Sequence, residues 1–212
     1  MQYEDAIFHR SPKVLVYRFV VGPLENNVYV VRNGTANSSV LIDGAAEPTR
    51  LLDICRDLGV STVLQTHGHA DHIQAVPELH RAGLRIGIGL GDAERLAGEY
   101  DWVISDGELI DIGEGARLKA IHTPGHTPGS MCFLLSSDGE TTDILFSGDT
   151  LFPGGPGNTS LAGGDFSTII ESISTRLFAT MAEDTLVLPG HGVHTTIGME
   201  RPHLDEWIAR GW

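Results

Sequence analysis

The chain has 212 residues, 41% of them hydrophobic and 20% charged, and its 28 acids against 14 bases give a formal charge of −14. That length favours one large domain that buries enough surface to be stable without disulfides, and the composition excludes intrinsic disorder. A surface this acidic repels phosphate backbones and anionic headgroups, so neither nucleic acid nor membrane is an expected partner. No apolar run approaches the roughly 20 residues of a membrane helix. The first ten residues carry acids where a signal peptide carries basic charge, so a cytoplasmic location is expected. Cys55 and Cys132 each sit inside an apolar pattern and read as reduced core thiols.

In chain order, residues 14–21, 27–31 and 40–43 read as strands, the first two separated by Gly22 and Pro23. Residues 49–58 read as a helix, with Leu51, Leu52, Cys55 and Leu58 on one face and Gly59 at its stop. A short strand over 63–66, a helix over 70–82 closed by Gly83, and a strand over 85–88 follow. Strands are expected over 109–112, 118–122, 131–135 and 144–147. A helix over 165–177 has Asp165 or Ser167 as its cap and Ile169, Ile170, Ile173 and Leu177 at helical spacing. A strand over 186–188 precedes a C-terminal helix entered at Pro202. Strands and helices in both halves, without a strict βαβ rhythm, suggest two mixed sheets packed together with helices outside. No domain boundary is visible, so residues 1–212 read as a single α/β domain.

Residues 66–72 read Thr-His-Gly-His-Ala-Asp-His directly after a buried strand. Alternation along an extended segment puts His67, His69 and Asp71 on one side, and a turn into a helix can swing His72 beside them. Imidazoles and a carboxylate in that density are ligands for zinc, and also for iron or manganese. Three more candidates end predicted strands, each preceded by glycine: His126, Asp149 and His191. Glycine lets the backbone turn sharply and present the next side chain from a strand edge. His122 and His194, close in sequence to His126 and His191, are candidates for orienting ligands. His9, His80 and His203 have no partner pattern and read as surface residues. The stretch 152–166, with five glycines and two prolines, is a candidate substrate-lining loop, and no lysine follows its glycines as a phosphate loop requires.

These motifs resemble the metallo-β-lactamase superfamily, whose HxHxDH signature stands here at His67 to His72 and whose later motifs match at His126, Asp149 and His191. Within it, Pro-Gly-His-Thr-Pro-Gly, Ser-Gly-Asp-Thr-Leu-Phe and Leu-Pro-Gly-His-Gly look most like the glyoxalase II group of thioester hydrolases. The resemblance implies an αββα sandwich. It also implies two divalent ions, zinc by preference: one held by His67, His69 and His126, the other by Asp71, His72 and His191, with Asp149 bridging. Hydrolysis of a small S-acyl thiol by a hydroxide shared between the ions would follow, with Asp71 orienting that hydroxide as well as binding metal.

Alternatives within the same resemblance are a mononuclear iron persulfide dioxygenase and a lactone hydrolase. Exported β-lactamases commonly lack an aspartate at the position of Asp149. RNA-processing members must hold a polyanion, for which two lysines and twelve arginines among 28 acids are a poor platform. A metal-sensing or scaffold role fits seven intact donors less well than catalysis does. Glyoxalase II itself carries a helical extension after its last ligand, and an arginine where Asn158 stands here. Recognition of the thiol carrier in the glutathione manner is therefore not expected.

Overall fold

The computed structural model describes residues 3–34, 38–113, 115–136 and 142–211. Its first half is one sheet. β1 (Ile7–Arg10), β2 (Val14–Val21), β3 (Asn26–Asn33) and β4 (Ser39–Ile42) form an antiparallel meander. The chain then crosses through α1 (Pro48–Leu58) to β5 (Val60–Leu64), and through α2 (Ala70–Ile73) and α3 (Val76–Arg81) to β6 (Arg85–Gly89). β5, β6 and β7 (Trp102–Ile104) add in parallel, so the seven strands lie in sequence order.

The second half builds a six-stranded mixed sheet from β8 (Leu109–Asp111), β9 (Arg117–His122), β10 (Met131–Leu135) and β11 (Ile144–Gly148). β12 (Leu151–Phe152) and β13 (Gly155–Pro156) form a small separate hairpin before α4 (Phe166–Ser172). β14 (Leu186–Pro189) returns parallel to β11, and β15 (Thr195–Thr196) closes the edge, followed by α5 (Ile197–Glu200) and α6 (Leu204–Arg210). The sheet order is β15-β14-β11-β10-β9-β8.

Strand alternation sorts the apolar residues into three layers. Val14, Val16, Val31 and Ile42 of the first sheet meet Leu118, Met131, Phe133 and Phe146 of the second in the middle layer. The outer face of the first sheet packs Tyr17, Phe19 and Val30 against Leu51, Ile54, Val76 and Leu79 of its helices. The outer face of the second packs Ile121, Cys132 and Leu145 against Ile169, Ile173, Leu177 and Trp207. Each such fully buried aliphatic side chain contributes about 1.5–3 kcal/mol of transfer free energy. The expected αββα sandwich is thus the observed one. Both cysteines are buried free thiols, as expected.

Three helices differ from the sequence pattern. The expected helix over 70–82 is two helices, because the Ala75 amide donates to the Gly44 carbonyl at 2.9 Å and Pro77 has no N–H to continue the first. The 165–177 helix is capped by Asp165, whose side chain accepts from the Thr168 amide at 2.7 Å. It then widens over Ile173–Phe178, where the Ala179 amide reaches back five residues to Ser174. The C-terminal helical region starts at Ile197, ahead of Pro202, because Thr196 already caps it by accepting from the Met199 amide. His80 is a half-buried residue whose Nδ1 is hydrogen-bonded to Glu99 Oε2 at 2.7 Å, where a surface position was expected.

Candidate metal centre

Strand direction brings the candidate ligands to one place. β4 and β5 run parallel, β11 and β14 run parallel, and β9 shares the direction of β11 through the antiparallel β10. The residues that follow all five strands therefore emerge at one end of the sandwich. The two sheets are tied together at that end: the Met131 amide donates to the Thr66 carbonyl at 2.7 Å, and the Asn27 amide to the Gly190 carbonyl at 2.7 Å. Gly148 adopts a left-handed φ of +49° before Asp149, which favours glycine there. A Cβ on Gly190 would lie 2.7 Å from Cε1 of His72, so the approach of this turn to the cluster admits only hydrogen.

All seven candidates converge. The ligand atoms of His67, His69 and His126 lie within 4.8 Å of one another, as do those of His67, His72 and Asp149, and those of Asp71, His72 and His191. The Nε2 atoms of His67 and His126 are 3.3 Å apart, and those of His72 and His191 are 3.2 Å apart. Asp149 stands between them, with Oδ1 at 3.5 Å from His72 and Oδ2 at 3.6 Å from His126 and 3.7 Å from His191. Asp71 Oδ2 is 3.3 Å from His191 Nε2 and accepts from Asn26 Nδ2 at 2.9 Å.

The opposite edge of each imidazole fixes which nitrogen faces inward. His72 Nδ1 donates to Asp43 Oδ2 at 2.8 Å, His126 Nδ1 to the Asn158 carbonyl at 2.7 Å, and His191 Nδ1 to the Leu24 carbonyl at 2.9 Å. His67 Nδ1 meets Thr66 Oγ1 at 3.1 Å, and that hydroxyl donates to Asp43 Oδ2 at 2.8 Å. Hydrogen at Nδ1 leaves the Nε2 lone pair free, the arrangement that metal-binding histidines use. Four Nε2 atoms therefore point at one space.

Electrostatics divide the cluster. Burial, reinforced by His72, His126 and His69, holds His67 well below the usual histidine range, so it is a neutral donor. Burial likewise lowers His126 and His69. Burial also acts on His72, but the carboxylates of Asp149 and Asp43 outweigh it and raise this imidazole to about 9. For Asp71 burial is outweighed by the bond to His191, by His72 and by Asn26, which together hold its carboxyl low. Asp71 is thus kept in its ionised form, the form that binds a cation. Asp149 Oδ1 is buried with no hydrogen-bond partner. An orphaned buried carboxylate oxygen, set among imidazoles whose Nε2 atoms all turn inward, fits divalent ions that displace the protons held there.

Asp43 was not foreseen. It directly follows β4, is buried, and takes a left-handed φ of 66° while its two oxygens serve Thr66 and His72. A carboxylate closing an apolar strand just before glycine was the available signal. His122 and His194, candidates for orienting ligands or plain strand-end imidazoles, take the second role. His122 Nε2 contacts the Pro128 carbonyl at 2.9 Å, and His194 packs edge-on against Phe8 at 5.2 Å. Of the 152–166 loop, the first half lines a cavity of about 390 Å³ beside His126, Asp149 and His191, with Phe152, Asn158 and Arg210 around it.

Residues 21–191 match the family model of the metallo-β-lactamase superfamily. The chain belongs to that superfamily. It is 30% identical over 203 residues to the hydroxyacylglutathione hydrolase GloC of Haemophilus influenzae, covering 85% of this chain and 92% of the relative. Its fold matches ETHE1 from Myxococcus xanthus with a TM-score of 0.77 at 26% identity, covering 89% of this chain and 82% of that one. It matches the B3 metallo-β-lactamase BLEG-1 at 0.74 with 29% identity, over 89% and 97% of the two chains. TTHA1623 in a di-iron-bound form matches at 0.70 with 31% identity, over 87% and 96%. Among the described residues, no helix is long and apolar enough to cross a membrane. Membership and the His/Asp cluster together make this a metal-dependent hydrolase fold with a site for divalent metal.

Proposed function

We propose that the protein hydrolyses a small thioester using two divalent ions, zinc by preference. The carrying observation is the cluster itself: two groups of three donors, with Asp149 directed at both, opening on the cavity beside the Phe152–Asn158 turn. His67, His69 and His126 would hold one ion and Asp71, His72 and His191 the other. Divalent ions bound there supply Lewis acidity and activation of water.

The chain's own contribution is placement. Asp43 and Thr66 fix His72 and His67, and backbone carbonyls fix His126 and His191. Asp71, kept ionised by its neighbours, accepts hydrogen bonds and orients the attacking water without serving as an acid. The residues lining the cavity include no hydroxyl or thiol among the described residues, which supports water as the nucleophile. The likeness to a hydroxyacylglutathione hydrolase supports a thioester as substrate. Arg210 is the one cationic side chain lining the cavity among the described residues. One cation is a sparse platform for a carrier with several charges, so acyl shape is expected to dominate selectivity.

The test combines elemental analysis of purified protein with kcat/KM for S-lactoylglutathione, for the same acyl group on uncharged thiols, and for lactones. Two metals per chain and chelator-sensitive thioester hydrolysis are expected. One iron per chain with oxygen uptake on glutathione persulfide would replace this reading with a dioxygenase, and a preference for lactones would replace the substrate. A glutathione ester favoured by about a hundredfold, roughly 2.7 kcal/mol of transition-state discrimination, would show that the carrier is recognised after all.

A further inference from the structure

Behind the three-histidine group lies a buried carboxylate that the proposed reaction does not use. Asp92 sits on the helical turn Leu90–Leu96 that follows β6 and is fully buried. Its Oδ2 accepts from the Gly68 amide at 2.9 Å and from Thr127 Oγ1 at 2.6 Å. Gly68 separates His67 from His69, and Thr127 follows His126. One oxygen therefore ties together the two loops that carry all three donors. Thr127 is itself held, with its amide donating to Ser130 Oγ at 3.1 Å.

The packing around this tie leaves no slack. A Cβ on Gly68 would lie 2.6 Å from Cδ of Arg95 and 3.0 Å from Cβ of Asp92, and one on Gly129 would lie 2.8 Å from Cβ of Asp92. The other oxygen, Oδ1, has no hydrogen-bond partner, and Arg95 Nε stands 3.7 Å away. A buried carboxylate this poorly compensated is costly to fold. Its placement answers an imbalance in the cluster. Asp149 is shared by both groups, but the Asp71 group has in addition its own carboxylate and Asp43 behind His72, whereas the other group adds only its three imidazoles.

We infer that Asp92 is the positioning residue of the three-histidine group, holding its two loops at ion-binding separation and supplying the negative charge that the imidazoles lack. The inference rests on the two-ion reading. Titration calorimetry of Zn²⁺ into the metal-stripped full chain separates the two, because the binding event that His69→Ala abolishes marks this group. Asp92→Ala is expected to weaken that event by about 10–100-fold while the other event changes by less than about threefold. Asp92→Asn, which keeps an acceptor oxygen without the charge, should fall between. If Asp92→Ala does not fold, Thr127→Val is expected to weaken the same event and Thr127→Ser to restore it. Equal weakening of both events, or no change in either, overturns the inference. A single event in the unsubstituted chain ends the two-ion reading, and Asp92 then stands or falls on whether its alanine variant weakens that one event.

Discussion

Asp43→Ala tests the account of ligand orientation most directly. The substitution removes the acceptor of three bonds: from the Thr66 amide at 2.7 Å, from Thr66 Oγ1 at 2.8 Å and from His72 Nδ1 at 2.8 Å. Each buried group left unsatisfied costs about 1–3 kcal/mol, and removing one partner of a buried charged pair costs about 3–5 kcal/mol overall. Loss of the buried carboxylate's own desolvation penalty offsets part of the sum, so about 3–5 kcal/mol is the expected destabilisation. For a chain of this size, roughly 2–4 °C in Tm per kcal/mol makes that a fall of about 6–20 °C. His72 and, through Thr66, His67 lose their orientation, so divalent affinity should drop about 10–100-fold. Asp43 also holds φ at 66°, where alanine costs about 1 kcal/mol more than glycine. Asp43→Gly should therefore recover about that much stability but none of the affinity. Thermal scans of the stripped protein and zinc titrations of all three variants provide the measurements. An Asp43→Ala protein with ordinary Tm and ordinary affinity would refute the orientation argument.

Chelation should lower Tm by an amount that grows with the free metal concentration used beforehand, since the ions bind only the folded arrangement; an unchanged Tm would contradict the centre. Substituting His122 or His194 by alanine should leave metal content unaltered, because their rings meet the Pro128 carbonyl and Phe8 and no ligand; loss of metal in either variant would contradict those contacts. Burial pushes the Cys55 thiol up to about 12 and Cys132 to about 11, against an ordinary value of 9.0. Neither should react with a disulfide reagent at pH 8 until denaturant is added. Because the unfolded thiols ionise first, stability is whole below pH 9 and declines as pH rises toward 11–12. Flat stability across that window would refute the assignment.

Much of this was legible beforehand, for identifiable reasons. The His67–His72 cluster announces itself because four donors fall within six positions, and the later ligands because glycine precedes each at the end of an apolar run. What holds them in place leaves almost no trace. The Nδ1 acceptors of His126 and His191 are backbone carbonyls of Asn158 and Leu24, and every residue has a carbonyl. Asp92 finds its partners 24 and 35 residues away, so no local pattern betrays it. The break between α2 and α3 required knowing that Gly44 would stand ready to take the Ala75 amide. The unforeseen strands β1, β7, β12, β13 and β15 span two to four residues each, too few for a period of two to register.

The division of ligands between the two sheets has a consequence for how the protein comes to be active. His67, His69, Asp71 and His72 follow a strand of the first sheet, whereas His126, Asp149 and His191 follow strands of the second. Neither half of the chain holds more than a fragment of the centre. Closing it requires contacts that are distant in sequence, the slow class of event in folding. On the two-ion proposal, an ion would be retained with full strength only by molecules in which both sheets have docked, and it would clamp the seam along which they meet. A chain whose second sheet has not docked would hold only the four donors of His67 to His72, so assembly of the fold and completion of the centre would become one step.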